Sequence, residues 1–380
     1  MKRILKYVLY IFFGLIVLAN ILILASGKLF IYKTLIYQHA DLDDYKIFQN
    51  RELKPGKAEP WNVSTRYNRV PMPDSLLKEL TGLKTTAFLV IKNDSLIYEN
   101  YPANDGVTTI SNSFSMAKSI INILTGIALK EGKIKSLDEP VGNYLPEFKE
   151  GDKSKITLRH LLTMSSGLDW DEAYSSLLSS TTEAYYGTNL AKQMFAAPVV
   201  APPGTICKYK TVDPQLLSMV LHKATGETIS GYADEKLWTQ IGTEHEALWS
   251  LDHKDGDEKA YCCFNATARD FARIGKLYLQ NGSWDGKEIV PADFVALSTK
   301  PNMLTDDKGN VTDYYGYLWW MLKYKGMQVF CARGLDGQYI IVVPEKKTII
   351  VRLGNLRSDT VINNHHKEVW DMIAAAVDIK

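Results

Sequence analysis

Cysteine is scarce in this 380-residue chain, with four residues at Cys207, Cys262, Cys263 and Cys331. That is too few for a disulfide scaffold, and no CxxC pair or Cys/His ligand spacing points to zinc or another metal. Net charge is also low, at +1. This excludes the strongly basic footprint of a nucleic-acid-binding protein. There is no G-x-S-x-G elbow, which argues against an α/β-hydrolase triad. Internal repeats, low-complexity tracts and cofactor-binding fingerprints are absent as well, so no cofactor is expected. With 46% apolar and 23% charged residues, the chain can bury a sizeable core and is not disordered. Its length suits one large domain or two small ones.

Charge is unevenly placed. Residues 1–40 hold Lys2, Arg3, Lys6, Lys28 and Lys33 and no acid, so the remainder is net acidic. Between Lys6 and Lys28 lie 21 uncharged residues, which matches the ~20 that a helix needs to cross a bilayer. The basic residues before the run favour a cytoplasmic N-terminus. Residues 1–34 therefore read as a cytoplasmic stub and membrane anchor. The rival reading is a signal peptide cleaved near Ala25-Ser26-Gly27, although the run exceeds the ~7–15 residues of a usual signal core. Either reading exports the rest of the chain. The expectation is a single-pass membrane protein with its domain on the non-cytoplasmic, periplasmic side. Residues 35–80, with Pro55, Pro60, Pro71 and Pro73, read as a tether and lead-in, and 81–380 as the globular domain.

Residues 85–100 form two β-like runs around Asn93-Asp94, a hairpin signal. A largely apolar helix is expected from Ser115 to Glu131, and residues 136–300 are mostly helical. Within them, 266–282 is an amphipathic helix ending at glycine. Four strand-like runs follow between 315 and 354, then a helix over 361–377. Strands at both ends with helices between predict a mixed α/β (α+β) domain whose sheet is built from both chain ends, with a large helical insert.

Ser115-Met116-Ala117-Lys118 carries the chemistry. Positions i and i+3 share a helix face, so the serine hydroxyl and lysine amine can meet. Serine is a poor nucleophile until a neighbouring base takes its proton. A helix start also places free N–H groups and positive dipole near a developing oxyanion. The tetrad alone is weak evidence, because Ser75-Leu76-Leu77-Lys78 repeats the spacing and reads as a helix cap followed by a surface lysine.

Three further segments add weight: ITLRHLLTMSSGLDW at 156–170, Pro203-Gly204-Thr205-Ile206-Cys207-Lys208-Tyr209-Lys210-Thr211, and Ala332-Arg333-Gly334-Leu335-Asp336-Gly337-Gln338. With Ser115, and in this order, they resemble the serine β-lactamase and penicillin-binding-protein superfamily, nearest its class C-like branch with esterases and 6-aminohexanoate-dimer hydrolases. The resemblance covers about residues 80–378 and implies an antiparallel β-lactamase-like sheet. It implies that Ser115 is acylated, that Lys118 holds its proton network and that Tyr209 is the partner base. The backbone N–H groups of Ser115 and Leu335 would form the oxyanion hole, and Thr211, Arg333 and Gly334 would meet the substrate. Two departures bear on specificity. Thr211 stands where many members carry Asn, and Ala332 where β-lactamases carry a cation.

The expected activity is hydrolysis of a small-molecule or peptide-like amide or ester. The alternatives are a peptidoglycan-directed D-amino-acid peptidase or β-lactamase, or a silent sensor on the same fold. Four further expectations concern other residues. His160 is structural, and His365-His366 is a helix surface. Trp170, Tyr185 and Tyr186 line the pocket or pack the insert, and Cys207 and Cys331 sit close in sequence to the second and third motifs, with their pairing open.

Overall fold

Both chain ends meet in one seven-stranded sheet, as the two groups of β-like runs predict. The structure, a computed structural model, describes residues 1–102 and 105–379. The strands run in the order Trp320–Tyr324, Met327–Gly334, Gln338–Val343, Thr348–Gly354, Thr85–Lys92, Ser95–Asn100 and Asn62–Val63. All neighbours are antiparallel except the last pair. Asn93 and Asp94 have φ of 49° and 60°, the left-handed pair that a two-residue hairpin turn requires. The first strand-like run is shorter than expected. Tyr315–Trp319 forms a turn closed by a bridge between Tyr315 and Trp320, and pairing starts at Trp320.

Side chains that alternate along the strands face opposite helical layers. Helix Ala268–Leu279 crosses one face, where Gly275 meets Ile340 and Ile349; a Cβ there would lie 2.8 Å from Ile349 Cγ2. On the other face, Tyr339 donates a hydrogen bond to Glu368 (2.8 Å) of helix Lys367–Val377. That helix starts six residues later than 361 because Asn363 and Asn364, with φ of 46° and 66°, turn a small hairpin first. The expectation of a helix surface at His365-His366 is corrected accordingly. Both lie in the hairpin's second strand, and His365 is buried.

The insert is organised around helix Ala117–Lys130, buried throughout from Ala117 to Ala128. Its apolar residues belong in a core, and its buried Lys118, Ser119, Asn122 and Thr125 are each hydrogen-bonded. It packs against helix Val212–Thr225.

Residues 35–80, expected as a tether and lead-in, make extensive contacts with the domain. Asn50–Leu53 pairs with Ala247–Ser250 at the edge of a four-stranded sheet completed by Phe264–Thr267 and Ile110–Asn112. Phe48, Leu53, Trp61, Val70 and Met72 are buried in the domain core, and Trp61 donates to Arg269 O (3.1 Å). The prolines mark irregular backbone, while the apolar residues between them dock it. Ser75 lies inside helix Asp74–Gly82, whose N-cap is Pro73. Helix Lys2–Ser26 buries no residue and is long and apolar enough to cross a membrane.

Candidate active site

Ser115 sits in a tight turn, Phe114–Met116, that leads directly into helix Ala117–Lys130. Phe114 has φ of 42°, a costly conformation for a bulky residue. Surrounding bonds hold it: Phe114 N–H donates to Asn112 Oδ1 (2.9 Å) and Ser113 N–H to Phe264 O (2.8 Å). Lys118, one turn on and buried, donates from Nζ to Ser115 Oγ (2.8 Å) and to Tyr261 O (3.0 Å). The same Nζ lies 4.9 Å from the centre of the Tyr209 ring. The structure thus brings Ser115, Lys118 and Tyr209 together.

A buried polar network supports the Tyr209 segment. Gly204 N–H donates to Ser165 O (2.8 Å) and Lys208 N–H to Met164 O (2.9 Å). Ser166 Oγ donates to Asp213 (2.5 Å), and Lys210 Nζ lies 3.9 Å from the same carboxylate. Burial pushes the Asp213 carboxyl up, opposed by the Lys210 charge. The Tyr209 ring rests against Trp320 and Tyr315, at 5.3 and 6.0 Å between centroids.

Strand Met327–Gly334 supplies the opposite wall. A Cβ on Gly334 would lie 2.3 Å from Ser113 O, so only glycine lets the strand end come this close to the nucleophile turn. Leu335, next along, lines the same cavity as Ser115 and Thr211. That cavity measures about 900 Å³, and Tyr185, Tyr186 and Arg357 also face it.

Two expected substrate contacts are engaged elsewhere. Thr211 donates from its backbone N–H and its hydroxyl to Glu172 (2.7 and 2.8 Å). Glu172 also accepts from Tyr174 OH (2.7 Å). Arg333 is not on the cavity lining. It donates to Asn364 O (2.7 Å), and its guanidinium lies 3.5 Å over the Trp320 ring. Sequence reading missed Tyr261, whose carbonyl holds Lys118, and Glu172, which holds Thr211 without lining the cavity. Glu172 lies in irregular backbone, and its only signal was proximity to Trp170.

His160 closes a capping box with Thr157, accepting the Thr157 N–H at 3.2 Å, and burial lowers its pKa. Trp170 donates to Thr181 (2.9 Å) and does not line the Ser115 cavity. Cys207 and Cys331 are both free, whereas a disulfide joins Cys262 to Cys263 beside Tyr261. Among the described residues, no group of three His, Cys, Asp or Glu side chains is placed to hold a metal.

A sheet made from both chain ends and a helical insert with a serine–lysine pair at the start of its buried helix define a serine hydrolase of the β-lactamase type. Comparison with known proteins agrees. The Beta-lactamase family model matches residues 74–369, and the chain belongs to that family. It is 24% identical over 304 residues to the 6-aminohexanoate-dimer hydrolase of Paenarthrobacter ureafaciens, covering 75% of this chain and 76% of that one. A Bacillus anthracis structure provisionally described as a 6-aminohexanoate-dimer hydrolase superposes with a TM-score of 0.77 at 23% identity, covering 88% and 92% of the two chains. A family VIII carboxylesterase superposes with a TM-score of 0.63 at 16% identity, covering 83% of this chain and 98% of its own.

Proposed function

We propose that this chain is a membrane-anchored serine hydrolase, with its domain on the non-cytoplasmic side, that cleaves an amide or ester through an acyl-enzyme on Ser115. The observation that carries the reading is the 2.8 Å contact between Lys118 Nζ and Ser115 Oγ in the wall of a 900 Å³ cavity.

In this reading Ser115 Oγ attacks the substrate carbonyl while its proton passes into the Lys118–Tyr209 pair. The backbone N–H groups of Ser115 and Leu335 receive the oxyanion, an interaction worth ~3 kcal/mol per donor. The pair then returns the proton to the departing alkoxide or amine, which leaves as the alcohol or amine. Water, deprotonated by the same pair, attacks the acyl-enzyme and releases the acid, and Ser115 recovers its proton. A silent binding module would need none of this grouping.

A fluorophosphonate probe tests the assignment. The native protein should be labelled on Ser115. Ser115→Ala should abolish labelling and leave the fold unchanged, and Ser75→Ala should alter neither. Full labelling of the Ser115→Ala protein would falsify the assignment.

A further inference from the structure

The wall of the catalytic cavity is continuous with the segment that leaves the long apolar helix. Helix Lys2–Ser26 is joined by Gly27, Lys28 and Leu29 to a second helix, Phe30–Tyr37. The linker is a tight turn, with Gly27 left-handed at φ 70° and Leu29 N–H donating to Gly27 O (2.9 Å), and the eight helical residues add about 12 Å. Thr34 in that helix, and Gln38, His39, Ala40 and Asp41 directly after it, line the cavity that contains Ser115. The segment is fastened to the domain. Tyr186 OH donates to His39 O (3.1 Å), Tyr185 OH donates to Asp44 Oδ2 (2.6 Å), and Tyr37 stacks on Tyr186.

Within helix Phe30–Tyr37 the exposed side chains are Leu35, Ile36 and Tyr37, at 52%, 71% and 41%, and the exposed residues Gln38 and His39 that follow are polar. Elsewhere on the cavity lining, Leu177 and Leu356 are 46% and 42% exposed, and Leu178, beside Leu177, is 62% exposed. Large exposed apolar side chains gathered around a cavity mark a surface for lipid or protein. Here the chain itself selects lipid, because a helix able to span a bilayer ends three residues before the cavity-wall helix begins. Lys28 lies in that junction and Lys33 in the helix after it.

We propose, resting on the reading of Ser115 as nucleophile, that the cavity opens onto the bilayer surface and that its substrate is a fatty-acyl ester borne by the membrane. The acyl chain enters past Leu177 and Leu356 on the lining, while the exposed Ile36 and Leu178 outside it rest against the bilayer. The fatty-acyl group transfers to Ser115 Oγ, the alcohol leaves with the serine proton, and water then frees the fatty acid. A short, soluble ester reaches Ser115 without Ile36 and Leu178, whereas a membrane-borne one needs them to hold the cavity against the bilayer.

The test uses the full chain in phosphatidylcholine–phosphatidylglycerol vesicles, with p-nitrophenyl palmitate dissolved in the bilayer and p-nitrophenyl acetate in the water. The native protein should hydrolyse both. Replacing Ile36→Asp and Leu178→Asp together should slow palmitate release roughly tenfold or more, the loss expected when aliphatic contacts with lipid become charges. Acetate release, which also reports folding, should stay within about twofold because neither side chain lines the Ser115 cavity. Unchanged palmitate release, an equal loss on both esters, or acetate turnover without palmitate turnover in the native protein each overturns the proposal. Absence of both activities together with absence of Ser115 labelling would instead remove the nucleophile reading, and the proposal would fall with it.

Discussion

Lys118 spans two roles in space. It donates to the Ser115 hydroxyl and to a fixed carbonyl, Tyr261 O, so its amine is held where a serine proton would have to go. The Tyr209 ring lies beside it, its centre 4.9 Å from the same nitrogen. Groups that act as one relay are not additive. Lys118→Ala and Tyr209→Phe should each slow acylation by a fluorophosphonate by about two orders of magnitude or more, and the double variant should be little slower than either. Stopped-flow labelling of the three variants decides this, and fully multiplicative losses would separate the two residues. The Ser115–Lys118 pair was legible in the sequence because i and i+3 share a helix face. Tyr209 and Leu335 were legible only through the order of motifs along the chain. Glu172 was not legible, since its partner Thr211 lies 39 residues away and neither residue sits in a periodic segment. For Arg333 the strand pleat allowed either face, and its bonding partner was not legible. That partner depends on a hairpin at Asn363-Asn364 that supplies the carbonyl Arg333 binds.

Between elements, the least expected group is Lys259. Its side chain is fully buried, donating to Ala184 O (3.1 Å) in helix Ser180–Tyr186 and lying 4.9 Å from the Phe48 ring. It therefore joins the insert to the segment after the apolar helix. Burial pushes its ammonium down to about 7; Asp252 opposes this and the Lys33 charge adds to it. The sign follows from the folded value lying below that of the unfolded chain. Below about pH 7 both states hold the proton and the burial cost is fully present. As pH rises from about 7 towards ~10.4, unfolding must take up a proton, so stability climbs by at most about 1.4 kcal/mol per pH unit. Thermal unfolding at pH 7 and pH 9 should show this rise in the native protein and a flatter response in Lys259→Met. Identical slopes would remove Lys259 as the source. At this scale the sheet strands were largely legible, because alternation and the Asn93-Asp94 turn carry local instructions. The docking of residues 48–72 was not. Prolines announce irregular backbone, but only tertiary contacts reveal that Phe48, Leu53 and Trp61 are buried against the domain.

At the scale of the whole molecule, the question is which carbonyl this cavity favours. β-Lactams and simple esters offer Ser115 the same reaction, so discrimination must come from surrounding charge. Ala332 is fully buried where a β-lactamase would carry a cation, and Arg333 is held against Trp320 and Asn364. The hydroxyl and N–H of Thr211 are both spent on Glu172. Losing one charge-assisted contact costs ~1.5–3 kcal/mol, or roughly 10- to 150-fold in transition-state binding. Esters need no such contact. Hydrolysis of p-nitrophenyl esters should therefore exceed that of benzylpenicillin and of a cephalosporin by about two orders of magnitude in kcat/KM. Arg357 offers the sharpest check, because it is a cation on the lining of the same cavity yet lies after strand Thr348–Gly354 instead of on the strand that ends at Gly334. If specificity follows the strand position, Arg357→Ala should leave the ester-to-penicillin ratio within about threefold. Efficient penicillin turnover by the native protein that collapses in Arg357→Ala would show that this arginine replaces the missing strand cation, and the cavity would then be a site for carboxylate-bearing substrates.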